Sequence, residues 1–210
     1  LASKVTPNTD IFLSLLDYCD LATRSKLTLL NRKLNEDLFY WRDIRNIEVD
    51  ISLRPSGKSQ MSIMLNNEDY YLEFYDNIRF ERLRSLLQRC LSLKKLQLAL
   101  SKYDRMSGIN RLIDLRWLAD LKNLTCLSIS SQLGGYNFLL FDDCMCYSCY
   151  RKLNLQCLHL DGVCLPKNQF QIFVRSMKTT LNTFDLKLIT VDFGIRTVTY
   201  LDFDKNSLVV

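Results

Sequence analysis

The chain is poor in the residues that mark several common classes of protein. Only 6 glycines and 3 prolines occur among 210 residues, which excludes a collagen-like repeat and long disordered segments. The single histidine, His159, leaves little material for a serine hydrolase or a histidine-ligated metalloenzyme. No apolar run approaches the roughly 18 residues that cross a bilayer, and no glycine-rich phosphate loop is present. We therefore expect a protein that is not an enzyme, uses no cofactor and spans no membrane.

Charge of one sign is not concentrated anywhere along the chain. The 28 basic residues are scattered among 23 acidic ones, for a formal net charge of +5. Proteins that bind nucleic acid usually cluster lysine and arginine on one face or along one helix. No such cluster stands out, so we predict that the chain does not bind nucleic acid.

Eight cysteines could form a disulfide framework in a small secreted protein. In a chain of this length, with 48% apolar residues, a large core can form without them. The first seven residues do not resemble a secretory signal. We therefore expect reduced thiols and a location in the cytoplasm, the nucleus or both.

One group of cysteines has spacings that could suit a metal ion. Cys144, Cys146 and Cys149 could supply three thiolates, with Cys157 or His159 as a fourth ligand. The spacing is not that of a standard zinc ribbon, and cysteine is also a common core residue. We predict no metal site.

A short apolar pattern, apolar-x-x-apolar-x-apolar, recurs along the second half of the chain. Residues that alternate in this way are typical of a strand with one buried face. Its five copies are centred on Leu96, Leu127, Leu158, Phe184 and Leu201.

The segments between these copies have the spacing of amphipathic helices, at residues 78–90, 109–117 and 170–181. A strand that alternates with a helix at this period resembles a leucine-rich repeat, over about residues 90–205. The resemblance implies an α/β solenoid with parallel strands on the concave face and helices on the convex face. The usual asparagine after the strand is missing, and an ordinary α/β domain is the alternative.

We place the repeat domain at residues 44–210. Residues 44–76 are irregular, because alternating apolar residues are separated there by turn signals at 55–57 and 66–67. Antiparallel hairpins and degenerate first repeats would both fit this pattern. Residues 131–152 are expected to form an insertion.

Residues 5–43 show two helical runs and no strand signal. A segment this short cannot bury enough apolar surface to be stable alone, so its apolar faces must pack on a neighbour. They could cap the first repeat or dock a second protein. Pro7, Ile11, Leu15, Tyr18, Leu27, Leu30, Leu34 and Trp41 follow one another in an order and spacing that resemble the F-box.

The F-box resemblance implies that these helices bind a Skp-type adapter, and through it a cullin. Thr6 replaces the leucine usual before the proline, and Leu34 stands where tryptophan is common. Adapter-binding residues implied by the resemblance are Pro7, Ile11, Phe12, Leu15, Leu16, Cys19, Leu27 and Leu30.

The same residues permit a second resemblance. Leu15 and Cys19 are similar to the Leu-x-x-x-Cys signature of the box that binds elongin C. Thr23 then occupies a position that is usually aliphatic. In this alternative the adapter is the elongin B–C pair and the cullin class changes.

If the leucines of each strand point to the core, the residues between them point to solvent on the concave face. Several of these residues are acidic, so we predict a surface that favours a basic protein partner. A solvated face without a role is the alternative. Predicted partner-binding residues are Ser128, His159, Asp161, Asp185, Tyr200, Asp202 and Asp204.

These features together lead to one functional prediction. The chain is expected to be the substrate-recognition subunit of a cullin-based ubiquitin ligase, with an adapter on its first helices and a target protein on the repeats. The alternative is a leucine-rich-repeat interaction scaffold with no role in a ligase.

Overall fold

The computed structural model describes ten stretches of the chain from residue 44 to residue 200, together with Tyr18, Cys19 and Thr23. The ten stretches are 44–54, 58–66, 68–77, 79–102, 112–133, 136–140, 155–171, 182–187, 189–192 and 197–200.

The described residues form two β-sheets and a small number of helical segments. The seven-stranded sheet consists of β1 (Asn46–Leu53), β2 (Lys58–Leu65), β3 (Glu68–Asn77), β4 (Lys95–Lys102), β6 (Cys126–Ser131), β8 (Cys157–Asp161) and β10 (Thr183–Lys187). The five-stranded sheet consists of β5 (Leu112–Asp114), β7 (Asn137–Leu139), β9 (Cys164–Pro166), β11 (Ile189–Asp192) and β12 (Thr197–Tyr200). The helical segments between residues 44 and 200 are α1 (Glu81–Arg89), a 3-10 helix (Arg116–Asp120) and residues 167–171.

From β4 onward the chain alternates between the two sheets. The larger sheet has the order β10-β8-β6-β4-β1-β2-β3, and the smaller has the order β12-β11-β9-β7-β5. β1, β4, β6, β8 and β10 are parallel neighbours, and so are β5, β7, β9 and β11. We call one passage of the chain through a strand of the larger sheet and a strand of the smaller sheet a circuit. Each circuit therefore adds one strand to each sheet.

The core is built from leucines that lie side by side on neighbouring strands. Leu96 pairs with Leu127, which in turn pairs with Leu158, and all three are at most 3% exposed. The next inward row contains Leu98, Ile129, Leu160 and Leu186, and these residues belong to the same buried cluster as Ile113, Phe138 and Leu165 of the smaller sheet. The inward faces of the two sheets therefore share one apolar core. Burying this surface is the main favourable term in folding.

Gly162 turns the chain from β8 of the larger sheet to β9 of the smaller one. Gly162 follows β8 with φ of +64°, and a Cβ added there would lie 2.1 Å from the carbonyl oxygen of Ser131. Its N–H donates a hydrogen bond to the carbonyl oxygen of Lys187, at 3.1 Å. Both the left-handed backbone and the close approach of Ser131 require glycine at this position.

The region at 44–76 combines the two alternatives that its sequence left open. β1 pairs in parallel with β4, as a first repeat would. β2 and β3 then continue the same sheet as antiparallel hairpins. Asn66, with φ of 49°, forms the turn between them, and its Oδ1 accepts hydrogen bonds from the backbone N–H groups of Arg45 and Asn46.

The helix predicted near residues 78–90 is confirmed as α1, with Leu83 and Leu87 fully buried. The helix predicted at 109–117 is wrong, because residues 112–114 form β5 and the 3-10 helix follows at once. In β5 only Ile113 is buried while its two neighbours are exposed, which is the alternation of a strand. The helix predicted at 170–181 is described only through residue 171.

Two further expectations need correction. The segment expected to be an insertion, 131–152, contributes β7, which pairs in register with β5. The fifth copy of the apolar pattern does not extend the larger sheet, since β12 pairs antiparallel with β11 in the smaller one. Only residues 193–196 separate these two strands, a connection that suits a hairpin but is too short for another circuit.

Candidate partner-binding face

The side of the seven-stranded sheet opposite the core carries polar residues at alternating positions; we name it the outer face. On the described part of this face, two central rows run across the strands. One row contains Glu48, Gln97, Ser128, His159 and Asp185, and the next contains Asp50, Ala99, Ser130, Asp161 and Lys187. Parallel strands bring these residues into rows because neighbouring strands are paired without a shift in register.

His159 and Asp185 are in direct contact on the outer face. Nδ1 of His159 lies 2.9 Å from Oδ2 of Asp185, and their side chains are 31% and 48% exposed. An ionised carboxylate only accepts hydrogen bonds, so Nδ1 of His159 is the donor in this contact. Nζ of Lys187 lies 3.7 Å from the same carboxylate oxygen. The two neighbours orient the Asp185 side chain.

Ser128, His159 and Asp185 stand side by side, in the order of a catalytic triad. Among the described residues, His159 forms a hydrogen bond with Asp185, but no hydrogen bond joins Ser128 to His159. An activated serine needs that second contact and a pair of free N–H donors near it. The backbone of β6 and β8, which carry Ser128 and His159, is paired on both sides instead. The row is therefore a polar surface rather than an assembled nucleophilic site.

The carboxylates of the two central rows lie in two groups, separated by the residues of β4 and β6. Glu48 and Asp50 lie on β1, and Asp161 and Asp185 lie on β8 and β10. Asp50 and Asp161 are three strands apart, which corresponds to about 14 Å at the usual strand spacing. In this row the residues between them are Ala99 and Ser130; we name these four residues, two small side chains with a carboxylate on either side, the trough.

Glu48 and Asp50 were missed by the sequence-based prediction of this face. The signal was present, because residues 46–53 alternate strictly between polar and apolar, and the structure buries the apolar set. The prediction stopped at β4 because the direction of the strands at 44–76 could not be read from the pattern.

The predicted aromatic residue of this face is also placed differently. Tyr200 lies in β12 of the smaller sheet, so its placement beside His159 and Asp185 is wrong. The outer face has Tyr75 instead, which is 50% exposed on β3. The guanidinium of Arg54 lies 5.1 Å from the centre of its ring and also donates a hydrogen bond to the side chain of Gln60.

The remaining predicted residues fall mostly outside the described residues. Asp202 and Asp204 lie there, as do Pro7, Ile11, Phe12, Leu15, Leu16, Leu27 and Leu30. Of the first 43 residues the structure describes three. Tyr18 lies in a turn and is 89% exposed, Cys19 is half-buried in a bend, and Thr23 is helical and exposed.

No group of three or more His, Cys, Asp or Glu among the described residues is arranged to hold a metal ion. Cys144, Cys146 and Cys149 lie outside those residues. Cys126 and Cys157 face each other at the first position of β6 and β8. Burial, and then the hydrogen bond to the Cys157 thiol, raise the pKa of Cys126 to about 11.

A cleft of ≈ 250 Å³ lies between the end of α1 and the end of the 3-10 helix. Its walls include Leu87, Cys90, Leu93 and Leu121 from the core and the exposed side chains of Asp120 and Lys122. The cleft is formed by helix ends rather than by the strands of the outer face, so it is separate from the trough.

No helix in the described part of the chain is long and apolar enough to cross a membrane. Comparisons of the chain with protein-family models, with curated protein sequences and with solved structures found no match.

Proposed function

We propose that this chain is the substrate-recognition subunit of a cullin-based ubiquitin ligase in the cytoplasm or nucleus. Its first helices dock a Skp-type adapter, and its outer face binds a basic segment of the target protein. The proposal combines the F-box-like residues of the first 43 positions with a leucine-rich-repeat solenoid for the strands that follow. The observation that supports it most is the unshifted pairing of five parallel strands, which gathers polar residues from distant parts of the chain on one surface.

The trough has dimensions that suit a helix. An α-helix with its side chains is about 10–12 Å across, which is slightly less than the ~14 Å between Asp50 and Asp161. Lysine or arginine on both flanks of such a helix would reach a carboxylate on each side. The small side chains of Ala99 and Ser130 let the helix approach the sheet closely.

Charge on this face contributes selectivity more than affinity. An exposed ion pair contributes roughly 0–1 kcal/mol, and salt screens it. Tight binding therefore needs contacts beyond the carboxylates, and aromatic side chains often supply them. Tyr75 is the exposed aromatic residue in the described part of the outer face that could fill this role.

The adapter is tested by co-purifying the chain with a Skp-type adapter and, in parallel, with the elongin B–C pair. Capture of the Skp-type adapter, lost in Leu15→Ala and Leu27→Ala, is the expected result. Capture of elongin that depends on Leu15 and Cys19 but not on Leu27 would reassign the adapter and keep the ligase role. Binding to neither, by a protein with native circular dichroism, would reject the ligase role and leave an interaction scaffold.

The outer face is tested separately, with a fluorescent lysine-rich helical peptide as the probe. Asp185→Lys is compared with Asp120→Lys, since the two carboxylates are equally exposed, at 48% and 47%, but Asp120 lies near the cleft. Asp185→Lys should raise the Kd about three- to tenfold at low salt, and Asp120→Lys should leave it unchanged. Equal effects from both variants would show that the peptide responds only to net charge.

A further inference from the structure

Two cysteines lie directly opposite one another on neighbouring strands of the outer face. Cys126 is the first residue of β6 and Cys157 is the first residue of β8, and the two are paired in register. Both are free thiols and both are partly exposed. The Cys157 side chain is close enough to contribute to the raised pKa of Cys126. The two cysteines are therefore a neighbouring pair of thiols that solvent can reach.

The spacing of this pair suits a covalent bond between the two sulfur atoms. Neighbouring strands lie about 4.7–4.9 Å apart, within the range of roughly 4.4–6.8 Å between the Cα atoms of bonded cysteines. The two side chains leave the sheet on the same side, because Leu127 and Leu158, the next residues along, are both buried on the other. Bonding requires Cβ atoms about 3.5–4.5 Å apart, so the strands must approach slightly. A bond formed in this way is easier to reduce than a relaxed one.

The other described cysteines after residue 44 have different surroundings. Cys90 is 4% exposed, and its thiol donates to the carbonyl oxygen of Leu86 at 3.6 Å. The thiol of Cys164 donates to Oδ1 of Asn137 at 3.1 Å. Cys164 is partly exposed, as Cys126 and Cys157 are, and this makes it a matched control for any reaction that depends on exposure alone.

We propose that Cys126 and Cys157 form a reversible disulfide site that is oxidised by a low-molecular-weight disulfide such as oxidised glutathione. The thiolate of one cysteine attacks a sulfur of oxidised glutathione, which breaks the S–S bond and releases one glutathione. The second cysteine gives up its proton and attacks the protein sulfur of the mixed disulfide, releasing the second glutathione. Two protein thiols become one disulfide, and one oxidised glutathione becomes two reduced ones, which take up the two protons.

The position of the bond gives it a structural consequence. It would tie the first residue of β6 to the first residue of β8, two residues before Ser128 and His159. Oxidation would therefore draw these two strands together beside the row that contains Ser128 and His159. The proposal of a disulfide site is based on the pairing of the two cysteines and does not depend on the proposed ligase function.

The test is to incubate the full chain in glutathione buffers from reducing to oxidising, quench with acid and alkylate the remaining thiols. Cleavage with trypsin and at the amino side of aspartate separates residues 123–141, 143–151, 153–160 and 161–167, so that Cys126, Cys157 and Cys164 lie on different peptides. The expected product links 123–141 to 153–160, two hydrogens lighter than the sum, and reverts on reduction. It should be absent in Cys126→Ser and Cys157→Ser and unchanged in Cys164→Ser.

Three results would overturn the proposal. One is a link from Cys126 or Cys157 to Cys164 or to the peptide 143–151 in place of the expected product. Another is mixed glutathione disulfides alone, even in the most oxidising buffer. The third is an equal yield of the expected link from protein oxidised in denaturant, because the folded strands would then have no part in pairing the two thiols. Circular dichroism of the serine variants confirms that a lost link does not come from unfolding.

Discussion

The buried carboxylate of Asp76 accepts a hydrogen bond from the backbone N–H of Leu83, with 2.9 Å between Oδ2 and the nitrogen. Asp76 is 5% exposed and lies at the end of β3, whereas Leu83 is in the first turn of α1. Phe80, which precedes the helix with φ of 55°, provides no side-chain cap. The strand before the helix therefore supplies the cap that the helix lacks, and an anion at a helix N-terminus is also favoured by the helix dipole.

Asp76→Ala should lower the free energy of unfolding by about 1–2 kcal/mol, because the N–H of Leu83 loses its acceptor in a buried position. Urea denaturation followed by circular dichroism measures this change. Asp50→Ala on the outer face is the control and should change stability by less than about 0.5 kcal/mol. Equal losses from both variants would mean that Asp76 does not cap α1.

Gly162→Ala should destabilise the fold by more than about 2 kcal/mol. The left-handed backbone alone costs a residue with a Cβ about 1–2 kcal/mol, and the new methyl group would also meet the Ser131 carbonyl oxygen. Thermal unfolding of Gly162→Ala and of Gln156→Ala, an exposed position before β8, gives the comparison. A melting temperature for Gly162→Ala equal to that of the parent chain would contradict the tight turn.

Gln169→Leu should cost about 1–3 kcal/mol of stability. Gln169 is 0% exposed, and its Oε1 accepts a hydrogen bond from the N–H of Leu140 at 2.9 Å, so leucine would leave a buried donor unpaired. Gln171→Leu, the same change at an exposed helical position, is the matched control. Urea denaturation of the two variants should separate them clearly, and a smaller loss from Gln169→Leu than from Gln171→Leu would refute the role of this contact.

The Cys126 thiol should react slowly with iodoacetamide at pH 8. Only the thiolate reacts, and a pKa of about 11 instead of 9.0 reduces the thiolate fraction about a hundredfold. Because the pKa is raised, the rate should keep increasing with pH up to about 11. Peptide mass spectrometry of residues 123–141 after timed alkylation measures this rate.

Cys157→Ala removes one of the causes of the raised pKa and should make Cys126 alkylate faster at pH 8. Cys164→Ala should not alter the rate, because that cysteine hydrogen bonds to Asn137 in the smaller sheet. If Cys126 reacted in the folded chain as fast as in denaturant, burial and its thiol neighbour would have no effect on it.

The strands of the larger sheet could be predicted because burial leaves a direct trace in the sequence. Leu96 and Leu98 are two residues apart and both are buried, and the same pair recurs in β6 and β8. This alternating apolar pattern shows which face of a strand is buried, but it does not show which sheet the strand joins. For this reason Tyr200 was assigned to the wrong sheet, although its segment is a strand.

The choice between helix and strand in the short connections could not be made from spacing. Ile113 and Trp117 are four residues apart, which fits one face of a helix, but Ile113 belongs to β5 and Trp117 to the 3-10 helix. Tertiary pairing of β5 with β7 overrides the local pattern in this segment. Glu48 and Asp50 on β1 were missed for a related reason. The parallel pairing of β1 with β4 is a contact between residues far apart in the sequence, so local spacing does not reveal it.

The alternation of the chain between two sheets also has a consequence for how its length can change. β6 touches β4 on one side and β8 on the other, and β7 likewise lies between β5 and β9. If residues 126–156 were deleted as a unit, Thr125 would lead directly into Cys157, with Leu158 in the place of Leu127 opposite Leu96. Loss of a single residue within a strand would instead move every later side chain of that strand to the opposite face. Descendants of such a chain can therefore gain or lose whole circuits more easily than single residues, and the breadth of the outer face can evolve in steps of one strand.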